Sequence, residues 1–485
     1  MGRASSASGW SALQAAIAGE VIVPDSPDYE SARMPAIARF DHLRPVAVVR
    51  CQTPSDVAET ISLAQLTGLP TATRSGGHCF AGRSSSEGIV IDVTPMNAVT
   101  VSGRFATIGA GARLGDVYGS LNEHDLTIPA GSCPSVGIAG LTLGGGLGIL
   151  GRKYGLTSDQ LLAATVVLAD GRIVDCDDNN NQELFWALRG AGSGNFGVVT
   201  TLVFGTRPAS SATNFHLAWP YADAPAVIDA WQAWAPTAPD ELYASLLLTA
   251  GGDVQRPPTL NLFGSMLGSE HDVARLLDDL AARAGAGPTT AFHKHMSFLE
   301  TTRYWATLGA DRADHAEHEP PPPQREYPIL KSEFFRRPLP AETVGALLAT
   351  LAEERLPGQS RELDFTPWGG AYNRIGEHAT AFAHRRELFS LKHTAIVDSD
   401  SSKTAKGAAQ RWLTKSWRTV HPWGSGRVFP NFPDPDLDDW RHAYYGANYQ
   451  RLRRVKRTYD PDNFFRLRQS RPNEPGSDWR PHGTA

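Results

Sequence analysis

Pro70-Thr-Ala-Thr-Arg74-Ser-Gly-Gly-His78-Cys-Phe-Ala-Gly-Arg83 is the stretch whose reading decides the fold. Thr71 to Thr73 read as the end of a short strand, after which the chain turns sharply through Ser75-Gly76-Gly77. Paired glycines reach torsions closed to other residues and let backbone N–H groups come close to an oxyanion. Arg74 adds a permanent cation, and His78 stands at the tip with a nucleophilic imidazole. A phosphate-binding turn with a histidine on it points to a large anionic cofactor. The competing reading is a plain glycine turn with an exposed histidine, so the rest of the chain has to decide.

The second informative stretch is Pro129-Ala-Gly-Ser-Cys133-Pro-Ser-Val-Gly137-Ile-Ala-Gly140-Leu-Thr-Leu-Gly144-Gly-Gly-Leu-Gly148. Seven glycines in the 18 residues from Gly131 exclude an ordinary helix, since each costs about 1 kcal/mol against alanine. Such a run suits backbone that must lie flat against a ligand. Cys133 sits inside it on a turn beside Pro134; a small buried thiol is the alternative. Two segments match Gly-x-Gly-x-x-Gly, Gly192 to Gly197 and Gly146 to Gly151. The first lies between a helix and a strand, the reverse of the dinucleotide order. The second is followed too soon by Gly155 for the dinucleotide helix, and neither has the acidic residue at the expected distance. Neither marks a nicotinamide-dinucleotide fold.

The 485 residues suffice for two or three domains with a substantial core. The net charge of −5 offers no basic field for nucleic acid. No stretch approaches the roughly 20 apolar residues of a membrane span, and Met1 to Glu20 lacks the pattern of a signal peptide. The four cysteines have no disulfide framework or metal spacing. The expectation is a cytoplasmic protein.

From about Asp41 to Thr206, short β-rich runs alternate with helical segments. Val46–Arg50, Ile89–Val93, Ala98–Val101, Phe105–Ile108 and Val198–Phe204 read as strands, and Leu162 to Val174 as a hairpin turning at Asp170-Gly171. Ser55 is read as the cap of a helix running to about Thr67, with Pro54 before it and Gly68 after it. Gly115–His124 and Gln182–Leu188 are further helices. This mixture predicts an α+β fold rather than a doubly wound parallel sheet. After Arg207-Pro208 come amphipathic helices at Ala224–Ala235, His271–Ala284 and Ala341–Glu354, and longer strands such as Glu241–Leu248. They predict an antiparallel sheet backed by helices. Glu319 to Gln324 reads as an extended solvated loop. Asp438–Arg457 reads as one basic helix, with the charge run Arg451–Arg457 as a solvated face.

Arg74-Ser-Gly-Gly-His78, Gly131 to Gly137, Leu143 to Gly148 and Arg152-Lys-Tyr-Gly-Leu156 together resemble the berberine-bridge-enzyme-like flavoprotein oxidases. These belong to the vanillyl-alcohol-oxidase and p-cresol-methylhydroxylase (PCMH) superfamily. Asn448 to Phe465 is similar to that family's closing segment. The resemblance implies a PCMH-type FAD-binding domain at residues 1–208, an inserted substrate-binding domain at 209–424, and a C-terminal segment at 425–485 that returns to the first. It implies FAD joined through His78 at the 8α-methyl carbon and through Cys133 at C6 of the ring. Arg74, Ser75, Gly76, Gly77, His78 and Cys79 would hold the pyrophosphate. Gly137, Gly140, Gly144, Gly145, Gly146 and Gly148 would line the cofactor, and the stretch Asn195, Gly197, Val198 would continue the cradle, with Asn463 in the closing segment. Val136 matches a position linked to oxygen access, and the valine resembles members that use O2.

Such chemistry needs a base beside the ring. In Arg361 to Gly370, strand alternation puts Glu362, Asp364 and Thr366 on one face. Asp364 matches a site-facing family position and is the leading base, with a solvated edge carboxylate as its alternative reading; Tyr372 is the second candidate. The family's Tyr-x-Asn-(Tyr or Phe) motif appears here as Phe429-Pro-Asn431-Phe432. Phe429 can act as neither acid nor base, while Asn431 could hydrogen-bond the ring. The expected function is an FAD-linked oxidase that passes hydride from substrate to flavin and electrons to O2, releasing hydrogen peroxide. Trp219, Trp231, Trp234 and Trp305 suggest a bulky, partly apolar substrate such as a natural product or glycoside. A flavin-bound cyclase, isomerase or dehydrogenase without O2 use stays open, as does a non-catalytic drug-binding flavoprotein. Expected partners are small molecules, neither nucleic acid nor membrane, for a monomer or homodimer.

Overall fold

A computed structural model of the chain describes residues 4–310, 326–467 and 469. Three sheets of four or more strands organise it. The first runs Glu20–Ile22, Ala47–Arg50, Ile89–Asp92, Thr71–Arg74, and its last three strands are parallel. The second is antiparallel, in the order Val99–Ser102, Phe105–Gly109, Val198–Gly205, Leu161–Val167, Ile173–Asp177. The third has seven antiparallel strands: Thr290–Met296, Ala212–Trp219, Thr259–Met266, Leu242–Ala250, Gln359–Pro367, Phe389–Asp398 and Glu326–Phe335. Parallel pairing is confined to the small first sheet, so the α+β expectation describes the molecule.

Local signals place most elements to within a residue or two, and the exceptions have physical causes. Helix Pro54–Thr67 is capped by Thr53, whose side chain accepts from Asp56 N, and Ser55 already lies inside it. Proline at the first helical position gives up only an N–H that would have no partner, so the cap shifts one residue before it. Gly68 ends this helix in the left-handed conformation, at φ 68°. The basic helix predicted over 438–457 is two helices, Trp440–Tyr445 and Tyr449–Tyr459. They part at Gly446, where a Cβ would overlap the Arg427 guanidinium, and Asn448 Nδ2 donates to the carbonyls of Glu377, Thr380 and Ala381. Within the charge run Lys456 is not solvated: it is 3% exposed. The segment 319–324 lies outside the described residues.

Two large apolar cores result. One joins residues from Leu13 to Phe204 with Val428, Trp440, Tyr444, Leu452 and Phe465, so the end of the chain packs into the same core as its beginning. The other fills the space between one face of the seven-stranded sheet and the helices Ala224–Trp234, Glu270–Ala284, Ala341–Ala352 and Lys403–Val420. Buried cations tie the parts together. Arg152 donates to the carbonyls of Leu242, Pro236, Ala238 and Trp368. Arg385 forms a two-pronged pair with Asp159 at 2.7 and 2.9 Å.

Lys456 closes the C-terminal segment. Its Nζ donates to Asp460 Oδ2 at 2.6 Å, to Asn195 O at 2.6 Å and to Phe465 O at 2.9 Å. Burial pulls its pKa down and the Asp460 charge opposes that. Lys456→Met leaves the Asp460 carboxylate buried without its countercharge and should cost about 3–5 kcal/mol. The double variant with Asp460→Asn should recover part of it. Urea unfolding checks this; a loss below about 1 kcal/mol would put the pair with ordinary surface contacts.

Candidate flavin and substrate site

Two turns distant in sequence meet at their backbones. The strand Thr71–Arg74 delivers Ser75, whose hydroxyl donates to Ala110 O at 2.7 Å. Gly76 then lies directly on Gly137: a Cβ on either would overlap the other's backbone nitrogen. Gly77 follows at φ 74°, which only glycine adopts without cost. The contact brings His78 beside the turn that carries Cys133. Ser135 Oγ stands 3.1 Å from His78 Nε2 and 3.4 Å from Cys133 Sγ. Burial, and then the nearby Arg113 charge, push the His78 pKa below its ordinary value, against a hydrogen bond that the imidazole donates to the Ser135 backbone, which raises it. The imidazole is therefore neutral, the nucleophilic form, at neutral pH. Cys133 is exposed and Cys79 half-buried.

Arg74 does not join this rim. Its guanidinium is 4% exposed and donates to the carbonyls of Ser84, Ala32 and Arg33. It braces the chain behind the turn, and its donors are engaged by protein rather than turned to a phosphate.

The glycine run forms the adjoining wall. Gly145 and Gly146 take φ 113° and 77°, and a Cβ on Gly148 would overlap Ala130 O. Asn431 clamps the run from above: Nδ2 donates to Gly140 O at 3.0 Å, and Oδ1 accepts from Gly146 N at 3.0 Å. A side chain on Gly144 would displace that carboxamide. Asn431 thus shapes the wall and is not held in reserve as a donor to a ring. Val136 is half-buried, and its carbonyl accepts from Leu114 N at 3.0 Å.

A third loop closes the cradle. Gly192 N donates to Leu143 O at 2.7 Å, and Asn195 Nδ2 folds the loop onto Ala191 O at 3.0 Å. Val198 opens its strand opposite Val167, and Gly197 lies just before it, where a Cβ would strike Val166. They build the wall from behind. Asn463 takes φ 52°, and its buried Oδ1 lacks a hydrogen-bond partner among the described residues. Two nucleophiles that meet at one hydroxyl beside a stretch of close-packed glycine backbone suit a flat, phosphate-bearing ring system.

The seven-stranded sheet faces this wall with its polar side. Leu246, Leu363, Phe365 and Leu391 point into the helix-covered core; alternation sends Ser245, Asp364 and Lys392 the other way. Asp364 Oδ2 accepts from Lys392 Nζ at 3.0 Å, and Oδ1 from Ser245 Oγ at 3.2 Å. Lys392 Nζ lies 5.4 Å over the Phe432 ring, and Phe432 lies 6.3 Å from Phe80, two residues past His78. This short aromatic bridge sets Asp364 opposite the His78 turn. Tyr372 stands elsewhere. It is fully buried, stacked on Trp368 at 4.3 Å, and its hydroxyl donates to Gly148 O at 3.2 Å. Burial raises its pKa. Phe429 belongs to the same aromatic cluster, with Phe334, Trp368 and Phe382. Of the four tryptophans, Trp219, Trp231 and Trp234 belong to the helix-covered core, and Trp305 is 8% exposed and donates to Asn214 Oδ1. Trp219, Trp231 and Trp234 thus face the helices, away from the polar side of the sheet.

Sequence reading missed Ser135, Lys392 and Phe432. Ser135 could have been suspected from its place between the cysteine and the glycine it shares a turn with. Lys392 had no such signal, because only strand pairing sets it opposite Asp364.

A family model described as FAD binding domain matches residues 45–177, and one described as berberine and berberine like matches residues 428–472. The chain is 32% identical over 463 residues to the uncharacterized FAD-linked oxidoreductase YgaK of Bacillus subtilis (strain 168), spanning 94% of this chain and 97% of that protein. Berberine bridge enzyme-like 6 of Arabidopsis thaliana is 29% identical over 459 residues, spanning 88% and 81%. The solved structure of wild-type Physcomitrella patens BBE-like 1 matches with a TM-score of 0.83 at 26% identity, spanning 95% of this chain and 98% of that one. No helix among the described residues is long and apolar enough to cross a membrane.

The backbone contact between the two turns makes a sharp test. Gly76→Ala should force Gly76 and Gly137 apart, at about 1–3 kcal/mol. The purified variant should carry much less flavin per chain in its visible spectrum. Undiminished flavin content would show that the contact does not shape the cradle.

Proposed function

Because the chain belongs to the berberine-bridge-enzyme-like FAD-linked oxidoreductases, we propose that it is an oxidase holding FAD by two covalent links, through His78 and Cys133, and oxidising a hydroxyl-bearing natural product or glycoside. The observation that carries this reading is the meeting of His78 and Cys133 at one hydroxyl on the rim of the glycine cradle. Two nucleophiles 55 positions apart in the sequence have no structural need to converge at an open rim.

Bound there, FAD would supply the hydride acceptor, with O2 as the electron sink that yields hydrogen peroxide. The backbone of Ser75 to Cys79, Gly137, Gly140 and Gly144 to Gly148 gives it a flat wall, and Asn431 keeps that wall in shape. Asn195, Gly197, Val198 and Asn463 support the end beside the closing segment. Asp364 takes the proton from the substrate hydroxyl, held by Ser245 and Lys392 in one orientation. Tyr372 is left as a packing residue, since its hydroxyl is spent on Gly148. Phe432 covers the Asp364–Lys392 pair and limits its contact with water. The polar face of the sheet favours a substrate with several hydroxyls. Val136 supports O2 as acceptor; Phe429, which lacks the family tyrosine's hydroxyl, favours a second reading as a dehydrogenase using another acceptor.

Acid-precipitated protein, digested and weighed, should yield a flavin peptide that joins the His78 and Cys133 segments; free flavin alone in the supernatant would refute the covalent reading. In a peroxide-release screen of alcohols and glycosides, Asp364→Asn should lower kcat by about 10²–10⁴-fold with flavin content unchanged. Undiminished turnover in that variant would remove Asp364 as the base. Substrate-driven flavin bleaching without peroxide would favour the dehydrogenase.

A further inference from the structure

We infer that Ser135 is the positioning residue that readies both attachment nucleophiles, its hydroxyl accepting a hydrogen bond from the His78 imidazole while donating one to the Cys133 sulfur. This rests on the two-link reading above.

Ser135 Oγ lies 3.1 Å from His78 Nε2 and 3.4 Å from Cys133 Sγ. A hydroxyl carries one hydrogen and two lone pairs, so it can donate to one of these partners while accepting from the other. Two arrangements use it in that way. In one, Sγ–H donates to Oγ and Oγ–H donates to Nε2. The proton on the neutral ring then sits on Nδ1 and the thiol keeps its own, so both nucleophiles are blocked. In the other, Nε2–H donates to Oγ and Oγ–H points at the sulfur. Nδ1 then carries the lone pair, and negative charge forming on the sulfur meets a donor. Turning the hydroxyl, together with a shift of the ring proton from Nδ1 to Nε2, switches both groups together.

The surroundings keep the relay assembled. Burial and the Arg113 charge keep the imidazole neutral, which the relay requires. The turn carrying Ser135 is fixed at both ends: Val136 N donates to Cys133 O at 3.3 Å, and Gly115 N to Pro134 O at 2.9 Å. The Gly76–Gly137 contact sets the distance between the turns, with Ser135 O packed against Gly76. The backbone that carries the Ser135 hydroxyl is therefore held beside both partners.

At each point a flavin C–H and a nucleophile H (N–H of His78 or S–H of Cys133) are replaced by one C–N or C–S bond. Two protons and two electrons are released, and O2, the acceptor in the proposed reaction, takes them to form one H2O2 per link. The Nε2 proton leaves His78 through Ser135, and the thiol proton leaves to solvent.

Threonine and valine have the same shape and differ in the hydroxyl, so Ser135→Thr and Ser135→Val isolate it. Full-length wild type and both variants would be prepared in parallel, denatured in acid and digested. The fraction of chains with flavin linked to both peptides, to one, or to none would be read by mass spectrometry, with total flavin and melting temperature as folding controls. Wild type and Ser135→Thr should agree within about twofold. In Ser135→Val the doubly linked fraction should fall by on the order of tenfold while total flavin holds. If Ser135→Val does not fold, Ser135→Ala takes its place with the same expected loss. A doubly linked fraction in the hydroxyl-free variant equal to wild type would overturn the role of Ser135, as would a threonine variant as impaired as the valine one. Wild-type chains lacking either link would instead overturn the two-link reading itself.

Discussion

The contact between Gly76 and Gly137 is the constraint on which the site depends. Two turns, one from the parallel sheet and one from the glycine-rich stretch, pack so closely that no side chain fits between them. Everything useful follows from that distance. It brings His78 and Cys133 to a common hydroxyl, and it holds the backbone of both turns along one surface. A bulkier residue at either place would separate the nucleophiles before it changed anything else. The same economy appears at Gly144, where the missing side chain makes room for the Asn431 carboxamide that clamps the wall.

The other half of the site comes from a sheet with two unlike faces. Its apolar face is sealed by four helices and holds the tryptophans, so its stability rests on ordinary hydrophobic burial. That leaves the opposite face free to carry Asp364, Lys392 and Ser245 at little cost to the core. Phe432 and Phe80 connect the two halves, so the position of the carboxylate relative to His78 depends on aromatic packing rather than on a covalent span. The C-terminal segment brings Asn431 and Phe432 into place. It is secured by Lys456, a buried cation whose partners come from its own helix, from Asn195 and from Phe465.

Departures from sequence expectation share a cause. Arg74, Lys456 and Asn431 are polar residues that a linear reading assigns to ligand or solvent. In the fold each is turned toward backbone carbonyls or a buried carboxylate that would otherwise lack a partner. A buried polar group must be matched, but the sequence does not say which distant group it will match. For the tryptophans, composition records their number, whereas strand register and helix packing decide which face they line. The cap at Thr53 and the break at Gly446 are smaller cases, one set by proline chemistry and the other by the arrival of Arg427.

The sequence by itself determined the α+β class, most strands of the two smaller sheets, several helices, the glycine-rich turns, and His78, Cys133 and Asp364 as the residues to watch. These are legible because turn chemistry, hydrophobic period and motif spacing act over a few residues at a time. Only the tertiary structure decided that Ser135 joins the two nucleophiles, that Lys392 pairs with Asp364, and that Tyr372 and Arg74 are occupied in the interior. Those outcomes depend on contacts between residues tens to hundreds of positions apart. Such pairings are selected by how whole sheets and segments pack, which no local pattern records.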